Sequence, residues 1–313
     1  MHPAYSVIIF TTLSGAGFGL MAVLGYKVAF GEIARHWHVG FFGLAVAFLL
    51  TGIGLVSSTM HLGRPERAWR AFSQWRSSWL SREGVAAVVT LAVAGLLGLV
   101  WTFAPGPGFL IVLLGLTTAG LALVTVYTTG MIYQSLPTIR AWHQPIVAPI
   151  YILLALMSGA VIAHTLLLAT AQGDATVGRF AILLLLLGAV AKIHYWRTID
   201  AASPFSNSGT ATGLGYLGTV RILEQPHTQA NFVQREMGYA IARRHSEKLR
   251  RSALLMSFAL PALLVLLSLA SNGLPALAAA IGAVLSMMAG LFVERWLFFA
   301  EAEHVVTTFY GRG

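Results

Sequence analysis

The chain reads as long apolar runs separated by short polar or glycine-rich intervals. Eight runs, at 5–29, 40–60, 84–103, 108–134, 146–171, 178–197, 253–271 and 275–299, are long enough to cross a bilayer as helices, at about 20 residues per crossing. The pattern predicts an all-α fold, a polytopic bundle of eight transmembrane helices in a single integral membrane domain over 1–313. Pro105-Gly106-Pro107-Gly108 and Asn272-Gly273 with Pro275 mark tight turns, which force antiparallel neighbours. Gly15, Gly17, Gly19 and Gly25 crowd the first span, and Gly15 with Gly19 forms a GxxxG pair that brings helices close. Pro261 is expected to kink the seventh span. The opening Met-His-Pro-Ala-Tyr lacks the basic region and the cleavage site of a signal peptide, so the first span is expected to be permanent.

Composition agrees. Charged residues make up 10% of the chain, hydrophobic residues 57%, and the mean hydropathy is +0.75. Soluble domains are about 25% charged, so an ordinary water-soluble enzyme is excluded. There are 0 cysteines. Disulfides, thiolate-bound zinc, iron–sulfur clusters held by this chain and cysteine nucleophiles are excluded with them. The formal charge is +9, from 20 Lys+Arg against 11 Asp+Glu, and only Lys27, Lys192 and Lys248 are lysine. Arginine's planar fork suits carboxylates at interfaces.

Charge by loop predicts orientation. Met60 to Glu83 carries Arg64, Arg67, Arg70, Arg76 and Arg82 against Glu66 and Glu83. Lys192 to Arg251 carries nine Lys/Arg against Asp200, Glu224, Glu236 and Glu247. The connections after the third and seventh spans carry no charge. Basic loops stay cytoplasmic, which puts the second, fourth and sixth loops and both termini on that side. Arg35 and Glu32 in the first loop are a mild dissent. The long loop, 198–252, is Ser/Thr/Gly-rich at first. From Asn231, with Gln234 as a capping-box partner, it reads as a basic amphipathic helix. Such a helix touches anionic membrane lipids or docks a soluble partner. Nucleic acid is not expected, because the basic loops flank membrane spans.

The most specific string is Met60-His61-Leu62-Gly63-Arg64-Pro65-Glu66-Arg67-Ala68-Trp69, followed by Trp75-Arg76-Ser77-Ser78-Trp79-Leu80-Ser81-Arg82-Glu83. His61 ends the second span and Glu83 opens the third, so both stand at one membrane edge. An imidazole and a carboxylate at that depth can exchange protons near neutral pH. The arginines can hold the carboxylate ionised or meet an acidic partner. Trp69, Trp75 and Trp79 suit the interfacial belt. A positive-inside loop with interfacial tryptophans is the plainer account of the same residues.

In its ordered form the string resembles the membrane anchor subunits of dimethyl sulfoxide reductase and its relatives. The family motif is His-Leu-Gly-x-Pro-x-Arg-Ala, then Leu-Ser-x-Glu. His61, Leu62, Gly63, Pro65, Arg67 and Ala68, then Leu80, Ser81 and Glu83, match it. The resemblance implies the quinone-binding anchor of a three-subunit molybdenum oxidoreductase in a bacterial inner membrane. It implies a catalytic subunit with molybdopterin guanine dinucleotide and a ferredoxin-like subunit with four iron–sulfur clusters. That second subunit would dock on the basic cytoplasmic loops. The anchor itself would bind ubiquinone or menaquinone and no metal. His61 and Glu83 carry over as the quinone site, Gly63 and Arg67 as supporting positions, with Arg64 or Arg67 tuning Glu83 or pinning the loop. Two departures stand out. Loop two is more basic, and the stretches Arg221–Thr228 and Arg235–Gly238 resemble the anchors of cytoplasm-facing sulfite-oxidising complexes. Sulfite oxidation coupled to quinone reduction is therefore expected, with a dimethyl sulfoxide reductase-type anchor oxidising quinol as the alternative.

Other polar groups give competing readings. His164 and His194, the latter near Lys192, are candidates for a b-type haem, although no helix carries a paired set. Tyr127, Thr128, Thr129 and Tyr133 form a polar stripe that edges a quinone pocket or packs in the core. Glu294, Arg295, Glu301, Glu303 and His304 are expected to be exposed on a helix leaving the membrane. A transporter would need broken helices and paired mid-membrane charges, and the span middles show almost no charge.

Overall fold

The structure, a computed structural model, describes residues 4–33, 35–60, 62–104, 108–202, 206–221, 223–224, 229 and 245–310. It contains the eight expected long helices. They are α1 Tyr5–Ala29, α2 Trp37–Thr59, α3 Trp79–Phe103, α4 Phe109–Gln134, α5 Val147–Ala169, α6 Ala175–Ala201, α7 Ser246–Ala270 and α8 Gly273–Ala300. Among the described residues the only extended pairing is an isolated bridge between Ile139 and His304.

α1 is the axis of the bundle. Its sequence is apolar or small all round, which suits lipid and protein interior alike, and its crowded glycines are what let neighbouring helices close around it. Of its 25 residues, 18 are buried. α2, α4 and α5 pack around it, and α8 touches it as well. α3 lies against α4 and α2, and α6 bridges α5 to α7. Glycine makes these approaches possible. A Cβ at Gly19 would stand 1.7 Å from the Ala155 carbonyl oxygen of α5, and one at Gly159 would stand 2.1 Å from Gly19. Gly25 and Gly115 face each other in the same way across α1 and α4. The expected GxxxG pair is only half used. Gly19 meets a neighbouring backbone, while nothing lies within 4 Å of a Cβ built at Gly15.

The alternating spans place 62–78, 135–146 and the described residues between α6 and α7 at one end of the bundle, with the start of α1 and the end of α8. That motif end is laced together. Ser57 donates to the Ser6 carbonyl at 3.0 Å. Arg140 donates to the carbonyls of Ile199 and Ala202. Arg250 forks between Asp200 (2.6 Å) and Glu301 (2.9 Å). At the far end Lys27 reaches Glu32 at 2.6 Å and Asp174 at 3.0 Å, tying the exit of α1 to the entry of α6. Burial pushes the Asp174 carboxyl up, but its bonds to Lys27 and the Thr176 amide win and hold it below its ordinary value. That contribution is present above the usual carboxylate range and is lost only as pH falls through the lowered value.

Several helix boundaries exceed the apolar runs. α3 begins at Trp79 rather than 84, because Ser78 caps it by accepting from the Ser81 amide at 3.5 Å. α2 begins at Trp37 rather than 40. α6 spans Ala175–Ala201, with Asp174 as its cap, rather than 178–197. α7 starts at Ser246, seven positions before the expected 253, so the long loop is shorter than 198–252. It contains a turn of helix at Ser208–Thr212 with a capping box on Asn207. Of the basic amphipathic helix expected to run from Asn231 into the seventh span, 231–244 lie outside the described residues, and its last basic positions, Lys248, Arg250 and Arg251, stand in the first turns of α7. Ahead of Pro261, α7 takes a π-turn at Leu255–Ala259, which accommodates a ring that cannot donate an amide bond.

Gly19→Val is expected to push α1 from α5 backbone to backbone. Overpacking costs typically about 1–3 kcal/mol, so a fall in the melting temperature of the detergent-solubilised chain is predicted. Gly15→Ala should melt like the parent chain. Equal melting of all three would refute the packing account.

Candidate functional site

Glu83 faces inward because of its phase in α3. From Glu83 onward the buried positions of that helix are Ala87, Thr90, Ala94, Leu97 and Trp101. They recur every three or four residues, which is one face of a helix. α4 packs along α3, and its buried residues include Thr118, Ala122, Thr125 and Thr129. Small residues and threonines let the helices close, and the Thr90 and Thr125 hydroxyls meet at 2.8 Å. One turn on, the Thr129 hydroxyl donates to Glu83 Oε1 at 2.9 Å. Glu83 is only 5% exposed.

Glu83 lines a cavity of ≈ 560 Å³ at the motif end, a size typical of small-molecule sites. Val7 and Phe10 of α1, Leu55 of α2, Leu80 and Ala87 of α3, and Ile132 of α4 make its walls. Ser58, Thr59, Glu83 and Tyr133 are the polar groups among them. Trp142 and Phe299 close the back. They belong to an aromatic cluster in which Tyr133 stacks on Tyr151 at 5.7 Å and meets Trp142 edge-on at 5.2 Å. The Trp142 indole donates to the Phe298 carbonyl at 2.9 Å. This back wall is therefore fixed by both packing and a hydrogen bond.

The roof is a 3-10 helix, Pro65–Gln74, with no buried residue. At three residues per turn, positions three apart share a side. Ala68 and Ala71, with Phe72, line the cavity. Arg67 and Arg70 share the other side and are exposed. A Cβ at Gly84 would come within 3.1 Å of the Phe72 ring, so this glycine lets the roof settle onto α3.

The predicted residues fare unequally in the structure. Glu83 is in the cavity wall. His61 lies outside the described residues, and its sequence neighbours Thr59 and Leu62 line the cavity. Gly63, Arg64 and Arg67 are exposed. Of the two roles expected of the arginines, a hold on the Glu83 charge is not what the described residues show, where the hydrogen-bond partner of Glu83 is Thr129. Arg82 is a fastening. It donates to the carbonyls of Trp75 at 3.0 Å and Arg76 at 2.8 Å and stacks over Trp79 at 4.2 Å. Arg70 and Arg76 lie over the exposed rings of Trp69 and Trp75 at 5.6 and 5.4 Å.

Sequence comparison fits this architecture. The family model of the DMSO reductase anchor subunit (DmsC) matches residues 1–311. The chain belongs to this family. It is 34% identical to a sulfite dehydrogenase subunit of Allochromatium vinosum, over 99% of both sequences. It is 30% identical to the anaerobic dimethyl sulfoxide reductase chain YnfH of Escherichia coli, over 67% of this sequence and 74% of that one. A second anaerobic dimethyl sulfoxide reductase chain from the same organism is 28% identical, over 54% of this sequence and 59% of its own. The protein is thus a membrane anchor subunit of the dimethyl sulfoxide reductase and sulfite dehydrogenase type.

The remaining candidates of the anchor sort cleanly. His164 is buried and its Nε2 meets Ser268 Oγ at 3.1 Å, the interhelical bond expected of a packed histidine. His194 is exposed, so the two imidazoles do not face each other as a haem would require. In the α4 stripe, Thr129 and Tyr133 serve the site, Thr128 bonds back to the Thr125 carbonyl, and Tyr127 is exposed. Glu294 and Arg295 correct an expectation outright. They are 0% and 4% exposed. Glu294 Oε1 lies 2.5 Å from Lys192 Nζ and its Oε2 lies 3.5 Å from Arg295 Nε. The spans thus do hold paired charges. Helical phase carries the signal that hydropathy hides. Ala181, Leu185, Gly188, Lys192 and Tyr195 form one buried stripe of α6. Ala276, Ala280, Ala283, Met287, Gly290 and Glu294 form one of α8.

Thr129→Val removes the hydroxyl bonded to Glu83 and keeps its volume. A buried polar group left unpaired costs about 1–3 kcal/mol, so a lower melting temperature is predicted. Thr129→Ser should restore it. A valine variant as stable as the parent would mean that the bond contributes nothing.

Proposed function

We propose that this anchor carries the quinone site of a three-subunit molybdenum oxidoreductase whose soluble subunits face the cytoplasm. The supporting observation is the ≈ 560 Å³ apolar cavity at the motif end, with Glu83 and Tyr133 among its few polar groups. An apolar pocket suits the ring and tail of a quinone, and sparse polar groups orient its oxygens. Quinone is the substrate, ubiquinone or menaquinone, and takes two electrons and two protons to become quinol. His61 bonds one carbonyl and donates a proton as that oxygen becomes basic. Glu83 relays protons from the cytoplasmic side, with Thr129 fixing its carboxylate. Gly63, Arg64 and Arg67 shape and hold the roof over the pocket.

Electrons would come from a four-cluster iron–sulfur subunit, fed by a catalytic subunit with molybdopterin guanine dinucleotide. The exposed Trp69, Arg70, Trp75 and Arg76 offer that subunit a mixed basic and aromatic face. Opposite potentials steer and orient such contacts. Sulfite oxidation is the favoured reaction, since the sulfite dehydrogenase relative aligns over 99% of both sequences. The dimethyl sulfoxide reductase relatives align over less of them, and quinol oxidation is the alternative direction.

In the assembled complex, His61→Ala is expected to abolish sulfite-dependent quinone reduction while artificial dyes still accept electrons. Glu83→Gln should slow quinone turnover at least tenfold without releasing the soluble subunits, somewhat below what one acid–base group typically contributes (about 10²–10⁴-fold). Wild-type quinone activity in both variants would move the site elsewhere.

Orientation has its own check. Alkaline phosphatase fused after Gln74 or at residue 220 should be inactive, and a fluorescent protein there should be bright. The basic loops predict this, and an active phosphatase would reverse the anchor.

A further inference from the structure

α2 and α3 grip each other near the far end of the bundle. A Cβ built at Gly40 would lie 2.5 Å from Trp101 Cγ, at the root of that side chain. One turn on, a Cβ at Gly98 would lie 3.3 Å from Leu44 Cδ1. A turn further, one at Gly95 would lie 3.8 Å from Phe48 Cζ, the outermost atom of the ring. The distance grows while the side chain that bridges it reaches further, so the two helices separate toward the motif end. At Gly52, one turn beyond Phe48, a Cβ would have nothing within 4 Å.

The antiparallel register that sets Leu44 against Gly98 and Phe48 against Gly95 brings Leu55 opposite Val88 and Thr59 opposite Gly84. All four of these last residues line the cavity of Glu83. The faces that touch in one half of the bundle thus stand apart in the other, and the cavity fills the fork between them.

The other seams around this cavity are closed. α1 meets α2 where a Cβ at Gly54 would stand 2.7 Å from the Ser14 amide nitrogen, and Ser57 donates to the Ser6 carbonyl at 3.0 Å. α3 meets α4 through the Thr90–Thr125 and Thr129–Glu83 bonds, at 2.8 and 2.9 Å. Trp142 and Phe299 stand at the back, and the Phe72 ring of the roof lies over Gly84. The fork, by contrast, faces outward. Val88 is 55% exposed and Leu80 52%, although both line the cavity. Val88 lies nine residues into α3, roughly 13 Å from its start at 1.5 Å per residue. At that depth the surroundings of a spanning helix are hydrocarbon.

We propose that the fork between α2 and α3 is the tail channel of the site, in which the polyprenyl chain of the bound quinone lies and passes out to the lipid. This rests on the reading of the cavity as the quinone site. A hydrocarbon chain is held by apolar surface and gains nothing from polar groups. Leu55, Ala87 and Val88 line the fork with hydrocarbon alone. Leu55 and Val88 are specificity residues for the tail and take no part in proton or electron transfer.

The test uses the assembled complex in membranes and two quinones, one with a long polyprenyl tail and one without a tail. Val88→Trp and Leu55→Trp fill the fork from its two sides. Each should lower kcat/KM for the long-tailed quinone by about tenfold, the lower end of the penalty for misfit in an apolar pocket. Each should leave the tail-less quinone and artificial dyes near their parent rates. Val89→Trp is the control, because Val89 is 44% exposed on the same helix but does not line the cavity. It should match the parent with both quinones. In the parent complex, a quinone with a photoreactive group on its tail should cross-link to the segments around Leu55 and Val88. That measurement needs no substitution, so it decides where a tryptophan variant fails to assemble. Unchanged kcat/KM in both fork variants overturns the channel. So does an equal fall for both quinones, which marks damage to the site as a whole. Cross-links at Ile9, Leu249 or Phe292, which line a separate apolar groove between α1, α7 and α8, place the tail there and overturn it as well. Full quinone turnover in Glu83→Gln overturns instead the reading of the cavity.

Discussion

Lipid offers no hydrogen bonds, so a polar side chain within these spans is costly unless another group of the protein or a buried water answers it. The bundle is organised around that constraint. Thr11, Ser14, Thr117 and Ser158 illustrate the cheap solution, each hydroxyl returning to a carbonyl of its own helix. Thr90 with Thr125 and His164 with Ser268 cross between helices. Charged groups need more. Lys27 draws on Glu32 and Asp174, and Glu294 draws on two cations from two helices. Each such pairing requires helices close enough to touch. The glycines of α1 provide this, since Gly19 against Gly159 and Gly25 against Gly115 bring α5 and α4 onto the central helix.

Glu83 is the instructive case among these groups. Among the described residues its answer is one neutral hydroxyl, Thr129, where the buried Glu294 has two cations. A carboxyl held this lightly can change protonation without dismantling the helices around it. It also lines the apolar cavity, while Thr129, its partner, borders a separate small chamber. Such placement is hard to explain by packing alone. On the proposed reading, the arrangement keeps the proton-handling group beside the quinone while the structural charges stay locked elsewhere.

Much of this architecture is legible in the residues alone. The eight spans follow from apolar runs, and the errors at their ends are instructive. Hydropathy misses the polar first turns of α3 and α6, because helices begin at caps such as Ser78 and Asp174 rather than where apolarity begins. The motif resemblance points to Glu83, and the phase of α3 explains why that residue faces inward. The roof arginines mislead. Their number suggests a hold on Glu83, but a 3-10 helix turns Arg67 and Arg70 outward while Ala68 and Ala71 line the cavity. Lys192 and Glu294 escape notice as partners because they lie 102 positions apart in the sequence. Sequence phase tells which side of a helix is buried, and only the packing of α6 against its neighbours tells which stripes meet.

The buried charges are arranged differently at the two ends of the bundle. A fully paired, neutral set would be the safest design for a membrane protein, and the Lys27 cluster at the far end stops one charge short of it, with one cation and two carboxylates at a water boundary. At the motif end two clusters offset each other. Lys192, Glu294 and Arg295 carry one positive charge in excess, and Arg250 with Asp200 and Glu301 carries one negative charge in excess. The cations of α6, α7 and α8 are thus answered by acids of their own surroundings. Glu83 meets a neutral hydroxyl instead and lines the apolar cavity, so the group proposed to handle protons stands apart from the charges that hold the helices together.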